Sequence, residues 1–165
     1  MKRYCLYLFI LIGISCSAEL KAQKNGTVYK GNDPAVRYTG RTLVSPDGSV
    51  AFDWVGTYLE TRFTGGKLSV KVSETGTSYY NVFVDGKLHK VVKVCGTDTL
   101  IHLVSGIDKR IHSLKIQKRS EGEFGKTTVH QFVLSGSGRL AEEPAVRTRH
   151  IEFIGNSLTC GYGKD

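Results

Sequence analysis

Past residue 22 the sequence has no apolar run long enough to cross a membrane, for which a helix needs about 20 such residues. No C-x-x-C or H-x-x-x-H spacing occurs, so the paired ligands of a metal site are missing and no cofactor is expected. Leucine-rich helical stretches are few. There is also no concentrated basic stripe, although the net charge is +8. Lys67 and Lys71 alternate with Leu68, Val70 and Val72, and the cluster from Lys115 to Arg119 is broken by Ile116 and Gln117. Nucleic-acid binding needs its cations gathered. These read as solvated strand faces.

What is present begins with an export signal. Lys2 and Arg3 supply the positive start, Tyr4 to Ile14 the apolar core, and Leu20-Lys21-Ala22 a small-residue exit before Gln23. Gly13-Ile14-Ser15-Cys16 also admits a lipoprotein reading, with lipid on Cys16, but Gly13 stands where such sites want a bulky aliphatic residue. The exit at Ala22 is preferred, which makes the protein exported, periplasmic or secreted. Losing residues 1–22 removes three cations (Lys2, Arg3, Lys21) and one anion (Glu19), taking the charge from +8 to +6. Of four cysteines, Cys5 and Cys16 belong to this segment. An exported protein can pair the other two, Cys95 and Cys160. They fall in different expected domains, so two buried thiols are expected instead.

The rest reads as strands. Nineteen glycines with many Val, Thr and Tyr point to an all-β domain rich in turns. Ala35–Val44 is a weak strand, joined by the turn Ser45-Pro46-Asp47-Gly48 to Ser49–Val55. Thr57–Phe63, Lys67–Ser73, Tyr79–Val84, Lys87–Val94, Thr99–Val104, Ile111–Lys118 and Thr127–Leu134 follow, about one strand every ten residues. Asp85-Gly86 between two β-rich runs is a strong hairpin signal. The series predicts a jelly-roll-like β-sandwich over residues 27–138. Residues 139–149, after S-G-S-G and with Ala141-Glu142-Glu143-Pro144, read as a linker. A new strand, His150–Ile154, would then open a second domain.

That strand runs into I-G-N-S-L-T-C-G-Y-G, residues 154–163. Gly155 would give the chain a backbone angle barred to other residues and leave room beside Ser157. The block is not the G-x-S-x-G elbow, because Thr159 holds the last glycine's place, and Gly161-Tyr162-Gly163-Lys164-Asp165 is no phosphate loop. F-I-G-N-S-L-T-C-G-Y-G closely resembles the first block of the GDSL, or SGNH, hydrolases. The resemblance makes Ser157 the nucleophile, its backbone N–H part of the oxyanion hole, with Gly155 and Asn156 in support. Asn156 stands where that family usually has Asp; it is read either as holding the turn by its side chain or as a plain turn residue. The strand series also carries a resemblance. R-Y-T-G-R-T at Arg37–Thr42, V-A-F-D-W at Val50–Trp54 and Y-Y-N-V-F-V-D-G at Tyr79–Gly86 are similar to the amino-terminal domain of carbohydrate esterase family 2.

The resemblance implies a serine esterase removing acetyl groups from plant polysaccharides of the xylan and mannan type. Its partner is an acetylated polysaccharide or oligosaccharide, without nucleic acid and without a membrane segment once the signal is gone. A serine needs an adjacent base. His89, His102, His112, His130 and His150 all precede Ser157, whereas the family's base lies downstream. The chain therefore reads as the front of a truncated α/β hydrolase domain, inactive alone because the catalytic histidine is missing. The alternative is a non-catalytic glycan-binding β-sandwich. Trp54, Tyr58, Tyr79 and Tyr80 are candidates for a sugar-stacking platform, but Trp54 lies in phase with Val50 and Phe52, which places it in the core. Tyr79 and Tyr80 point to opposite faces, so at most one is core. His102 and His112 lie in strands without ligand-like partners and read as ordinary polar strand residues.

Overall fold

The structure, a computed structural model, describes residues 26–141 and, beyond them, 148, 151, 154–156 and 159. The expected signal segment, Ser157, Cys160 and most of the expected linker lie outside the described residues. Within them the chain is nearly all strand: β1 (Thr27–Lys30), β2 (Val36–Thr39), β3 (Leu43–Val44), β4 (Val50–Phe52), β5 (Tyr58–Val84), β6 (Lys87–Lys118), β7 (Thr127–Ser135) and β8 (Arg139–Leu140). A single 3-10 turn, Gly122–Phe124, interrupts them.

Two of these strands are far longer than a sandwich layer is wide. β5 has 27 residues and β6 has 32, and they pair antiparallel from Tyr58↔Gln117 to Val84↔Lys87. The ladder slips register twice, from Thr64↔Ile111 to Leu68↔Val104 and from Glu74↔Gly96 to Thr77↔Cys95. Bulges bend strands, and here they fold one hydrogen-bonded sheet back over itself. Residues 58–64 and 77–84 of β5 lie in one layer and 67–74 in the other. In the first layer 111–118 sits between 58–64 and 80–84, flanked by β2 on one side and 87–94 on the other. In the second, 67–74 lies between 99–104 and β7, and β7 also pairs with β1 and β4, with β3 outermost.

The expected jelly-roll-like sandwich is thus what the chain forms, and its core explains why. Alternate residues of each segment turn inward: Leu59 and Phe63, Leu68, Val70 and Val72, Tyr80 and Val82, Leu114 and Ile116, Phe132 and Leu134 are all buried in one cluster. Phe52 of the second layer meets Tyr80 of the first edge-on, ring centroids 6.3 Å apart. The Asp85-Gly86 hairpin is present, with φ of 50° and 75° at its two residues, the positive pair that a two-residue turn matching strand twist requires.

Two strand expectations need correction. Ala35–Val44 is not one strand: β2 pairs with β5 in the first layer and β3 with β4 in the second, the chain turning between them at Gly40, φ 119°. Ser49–Val55 stops at Phe52, because Gly56, φ 79°, closes a tight turn in which the Thr57 N–H bonds the Trp54 carbonyl at 3.3 Å. Of the expected strand His150–Ile154, the two described residues, Ile151 and Ile154, lie outside any strand and are 81% and 90% exposed. No strand among the described residues is available to cover them.

Phe132 is fully buried at the centre of this cluster. Phe132→Ala should lower the unfolding free energy by about 3–5 kcal/mol, read from urea denaturation. Leu43→Ala, at a side chain 68% exposed, should change it by less than about 0.5 kcal/mol. Equal effects would mean that the core lies elsewhere.

Candidate functional site

The block expected to hold the nucleophile is described only in part, and Ser157 itself lies outside the described residues. The Thr159 N–H bonds the Asn156 carbonyl at 3.0 Å. The φ of Gly155 is not in the left-handed region. A Cβ there would lie 2.6 Å from Cβ of Thr159, so glycine permits the close approach of these two residues.

Histidines come next, because a serine needs one. His112, read as an ordinary polar strand residue, is 2% exposed and meets two carboxylates. Nδ1 lies 2.8 Å from the Asp85 carboxylate and Nε2 2.9 Å from that of Asp108. Asp85 sits in the hairpin and Asp108 beside the first ladder slip, so the bend carries both acids onto one imidazole. The hydrogen bond to Asp85 is the main influence raising the His112 pKa, burial opposes it, and Asp108 adds to it. The same bond lowers Asp85, and the Arg110 N–H followed by His112 lowers Asp108. The ring is enclosed while both acids reach solvent. It works as a clamp.

His130 and His102 face outward from the second layer. Ser73 Oγ shares a 2.8 Å hydrogen bond with His130 Nε2, and Ser69 Oγ one of 2.8 Å with His102 Nδ1. Neither pair is a catalytic triad. One carboxylate near His130, Asp98, is 4.0 Å from the same Nε2 that meets the serine, whereas an orienting acid must hold the opposite nitrogen; among the described residues Asp47 makes no hydrogen bond to the ring. His130 also lines a polar groove of about 290 Å³ with Val28, Lys30, Asp47, Ser49 and Gln131. Asp47 there is held below the usual carboxylate range by the Ser49 N–H and hydroxyl. Among the described residues no group of three His, Cys, Asp or Glu side chains converges as a metal would require.

The aromatic candidates separate cleanly. Tyr80 is core, 3% exposed, while Tyr79 is 45% exposed. Trp54 is 63% exposed, against the expectation of burial. The alternation that placed it inside holds only while the strand lasts, and β4 ends two residues earlier. Tyr58 is half-buried on the outer face of the first layer, with Lys115 Nζ 4.2 Å from its ring centroid. Cys95 is exposed, not a buried thiol.

Sequence reasoning also missed a buried polar knot where the ladder slips a second time. Lys118 was read as part of a solvated face, yet it is 1% exposed. Its ammonium donates to Ser78 Oγ at 2.6 Å and to the Gly125 carbonyl at 2.9 Å. Burial pushes its pKa down and the nearby Glu74 pulls it back. Glu74, also buried, accepts from Thr127 Oγ1 at 2.5 Å and from the Gly76 N–H at 3.2 Å, and Tyr80 Oη bonds Thr127 Oγ1. Burial raises the Tyr80 pKa, so the phenol stays neutral. No sequence periodicity announces such a cluster, since its members come from three separate segments.

Comparison with known proteins follows the strand series. The family model described as carbohydrate esterase 2 N-terminal matches residues 38–144. The cellulase/esterase CelE of Acetivibrio thermocellus is 34% identical over 134 residues, 81% of this chain and 16% of that protein. An acetylxylan esterase / glucomannan deacetylase of Cellvibrio japonicus is 29% identical over 135 residues, 81% of this chain and 37% of its own length. The chain therefore spans about a sixth of the first relative and little more than a third of the second. Among solved structures, a family two carbohydrate esterase from Clostridium thermocellum in complex with cellohexaose is 34% identical with a TM-score of 0.70, covering 78% of this chain and 39% of that one.

The His112 clamp has a pH signature whose sign is fixed by its geometry. A histidine with raised folded pKa stabilises fully below its unfolded value of about 6.5, and that stabilisation is lost as pH rises through the folded value. The two lowered carboxylates stabilise above about 3.9 and lose their effect as pH falls through their folded values. The melting temperature should therefore decline from pH 6 to 9 more steeply in the wild type than in Asp85→Asn/Asp108→Asn. Parallel profiles would mean that the clamp carries no proton linkage.

Proposed function

We propose, from a chain that belongs to carbohydrate esterase family 2 through its amino-terminal domain, that it is the front part of an exported esterase removing acetyl groups from polysaccharides of the xylan and mannan type. The observation that carries this reading is the order of parts in one sequence. The family's amino-terminal domain, residues 38–144, is followed within a dozen residues by F-I-G-N-S-L-T-C-G-Y-G. Relatives with esterase names support it, and the amino-terminal export pattern supports a substrate met outside the cell.

In this reading the Ser157 hydroxyl attacks the acetyl carbonyl, a histidine takes its proton, and the sugar hydroxyl leaves as the acetyl-enzyme forms. Water then attacks that ester, and acetate departs with regeneration of the serine. The Ser157 N–H donates to the oxyanion; one such donor is commonly worth about 3 kcal/mol. His112 is held between two carboxylates and His102 and His130 by serines of the sandwich, so each of these three is already committed within the second or first layer.

The test is acetate release from acetylated xylan and glucomannan by a protein carrying these residues followed by the remainder of a hydrolase domain. Ser157→Ala should abolish release and also labelling by a fluorophosphonate probe. The 165-residue chain alone should do neither. Labelling of Ser157 in that short chain would show that an upstream histidine serves as base, and the assignment would be wrong.

A further inference from the structure

We infer that the outer face of the first layer is a binding surface for a β-linked pyranose chain, separate from the esterase chemistry of Ser157. Register places its residues. Tyr58 pairs with Gln117, Gln117 with Asn81, and Asn81 with Val91. Directly paired residues share a face, and the neighbours Leu59, Ile116 and Val82 are buried, so this row points away from the core. It reads aromatic, amide, amide, aliphatic across four strands, about 15 Å at the usual strand spacing.

Two residues along from Asn81 on the same strand, Tyr79 shares its outward direction and is 45% exposed. Trp54 stands at the same end of the layer. The turn that exposes it is fixed by Gly56 N–H to the Lys118 carbonyl at 3.0 Å and Lys118 N–H to the Thr57 carbonyl at 2.9 Å. The next residue, Arg119, gives its N–H to the Tyr79 carbonyl at 2.9 Å. The Gly56–Thr57 turn and Tyr79 thus flank one strand, and Trp54 precedes that turn by two residues. Trp54 and Tyr79 are both mounted on rigid backbone, with the Lys118 knot packed beneath.

The chemistry of the face selects its ligand. Large aromatic side chains left in water offer flat apolar surface, which matches the C–H faces of pyranose rings. Asn81 and Gln117, side by side, make no side-chain hydrogen bond among the described residues, so each offers a carbonyl and an amide to sugar hydroxyls. Arg37 is bound to Glu60 at 2.8 Å and Lys115 is drawn over the Tyr58 ring, while Lys93, the register partner of Tyr79, and Arg62 are exposed cations on the same face. The aromatic and amide groups fit a hydroxylated chain, and the salt arms of the titration separate their contribution from attraction to these cations. This inference draws its ligand class from the esterase reading, but not its residues.

The experiment is calorimetric titration of the 165-residue chain, as exported, with cellohexaose and with xylohexaose at low and high salt. Binding should be seen with at least one of them and be insensitive to salt. Tyr79→Ala and Trp54→Ala should each weaken it by at least tenfold, and Asn81→Ala/Gln117→Ala severalfold. Leu100→Ala, an exposed aliphatic residue of the other layer, should leave it unchanged. Melting temperatures confirm that each variant is folded. No binding by the folded wild type, or equal binding by all variants, would overturn the inference, as would binding that vanishes with salt. In the longer protein, release of acetate from a small soluble ester should depend on Ser157 and not on Tyr79, while oligosaccharide binding should depend on Tyr79 and persist in Ser157→Ala. The two readings therefore fail separately.

Discussion

The double bend of the β5–β6 ladder is the constraint from which the rest of this structure follows. A hairpin of that length left straight would be a two-stranded ribbon with no interior, and such ribbons are marginal in water. Folding it at Gly65–Gly66 and at Glu74–Thr77 turns one ribbon into two layers that share a core. The bends are sterically specified. A Cβ at Gly66 would strike the Ser135 carbonyl and one at Gly76 the Phe124 carbonyl. Gly66, Gly96 and Gly106 all sit at positive φ near the slips, where other residues are strained. Once the bends are set, alternation decides every side chain's side, and β7, β1 and β4 need only add to the open edge.

The second bend is also where charge is taken inside. Burying Lys118 and Glu74 costs free energy that their mutual attraction repays only in part. What they obtain is geometry. Lys118 bonds Ser78 in β5 and Gly125 after the 3-10 turn, while Glu74 bonds Gly76 and Thr127. Each partner belongs to a segment that converges at this corner, and the Ser78 and Thr127 hydroxyls would otherwise be buried without these partners. An apolar replacement would fill the volume and leave those groups unsatisfied. The knot fixes the rim on which Trp54 and Tyr79 stand.

This division explains what could be read from the sequence and what could not. The Asp85-Gly86 turn and the opposed sides of Tyr79 and Tyr80 are local facts, set by neighbours one or two residues away, and they were legible. The place of Trp54 was not, because alternation carries no notice of where a strand ends; Gly56 ends it by permitting a turn. The partners of His112 lie 27 residues back and 4 residues back, and only the bend unites them. Lys118 reads as surface charge until the corner closes over it. Cys95 reads as a buried thiol until β6 proves to be an edge at that point. The resemblance supplied the family, and it offered nothing on which face of the sandwich lies open.

A face that holds polysaccharide would alter how the esterase reading works physically. Acetyl esters are sparse along an insoluble chain, so encounter limits such an enzyme as much as chemistry does. A second binding surface joined by a short connection raises the local substrate concentration at the catalytic serine into the millimolar range, provided the geometry allows both to be engaged. The connection begins close by. The Ala141 N–H bonds the Arg62 carbonyl at 2.8 Å, and Arg62 lies four residues along the strand that starts with Tyr58, about 13 Å away. The proposed platform and the point where the described sandwich ends therefore share a single strand. If a polymer is held there, weak stacking on each ring is enough, because a tethered second site multiplies it.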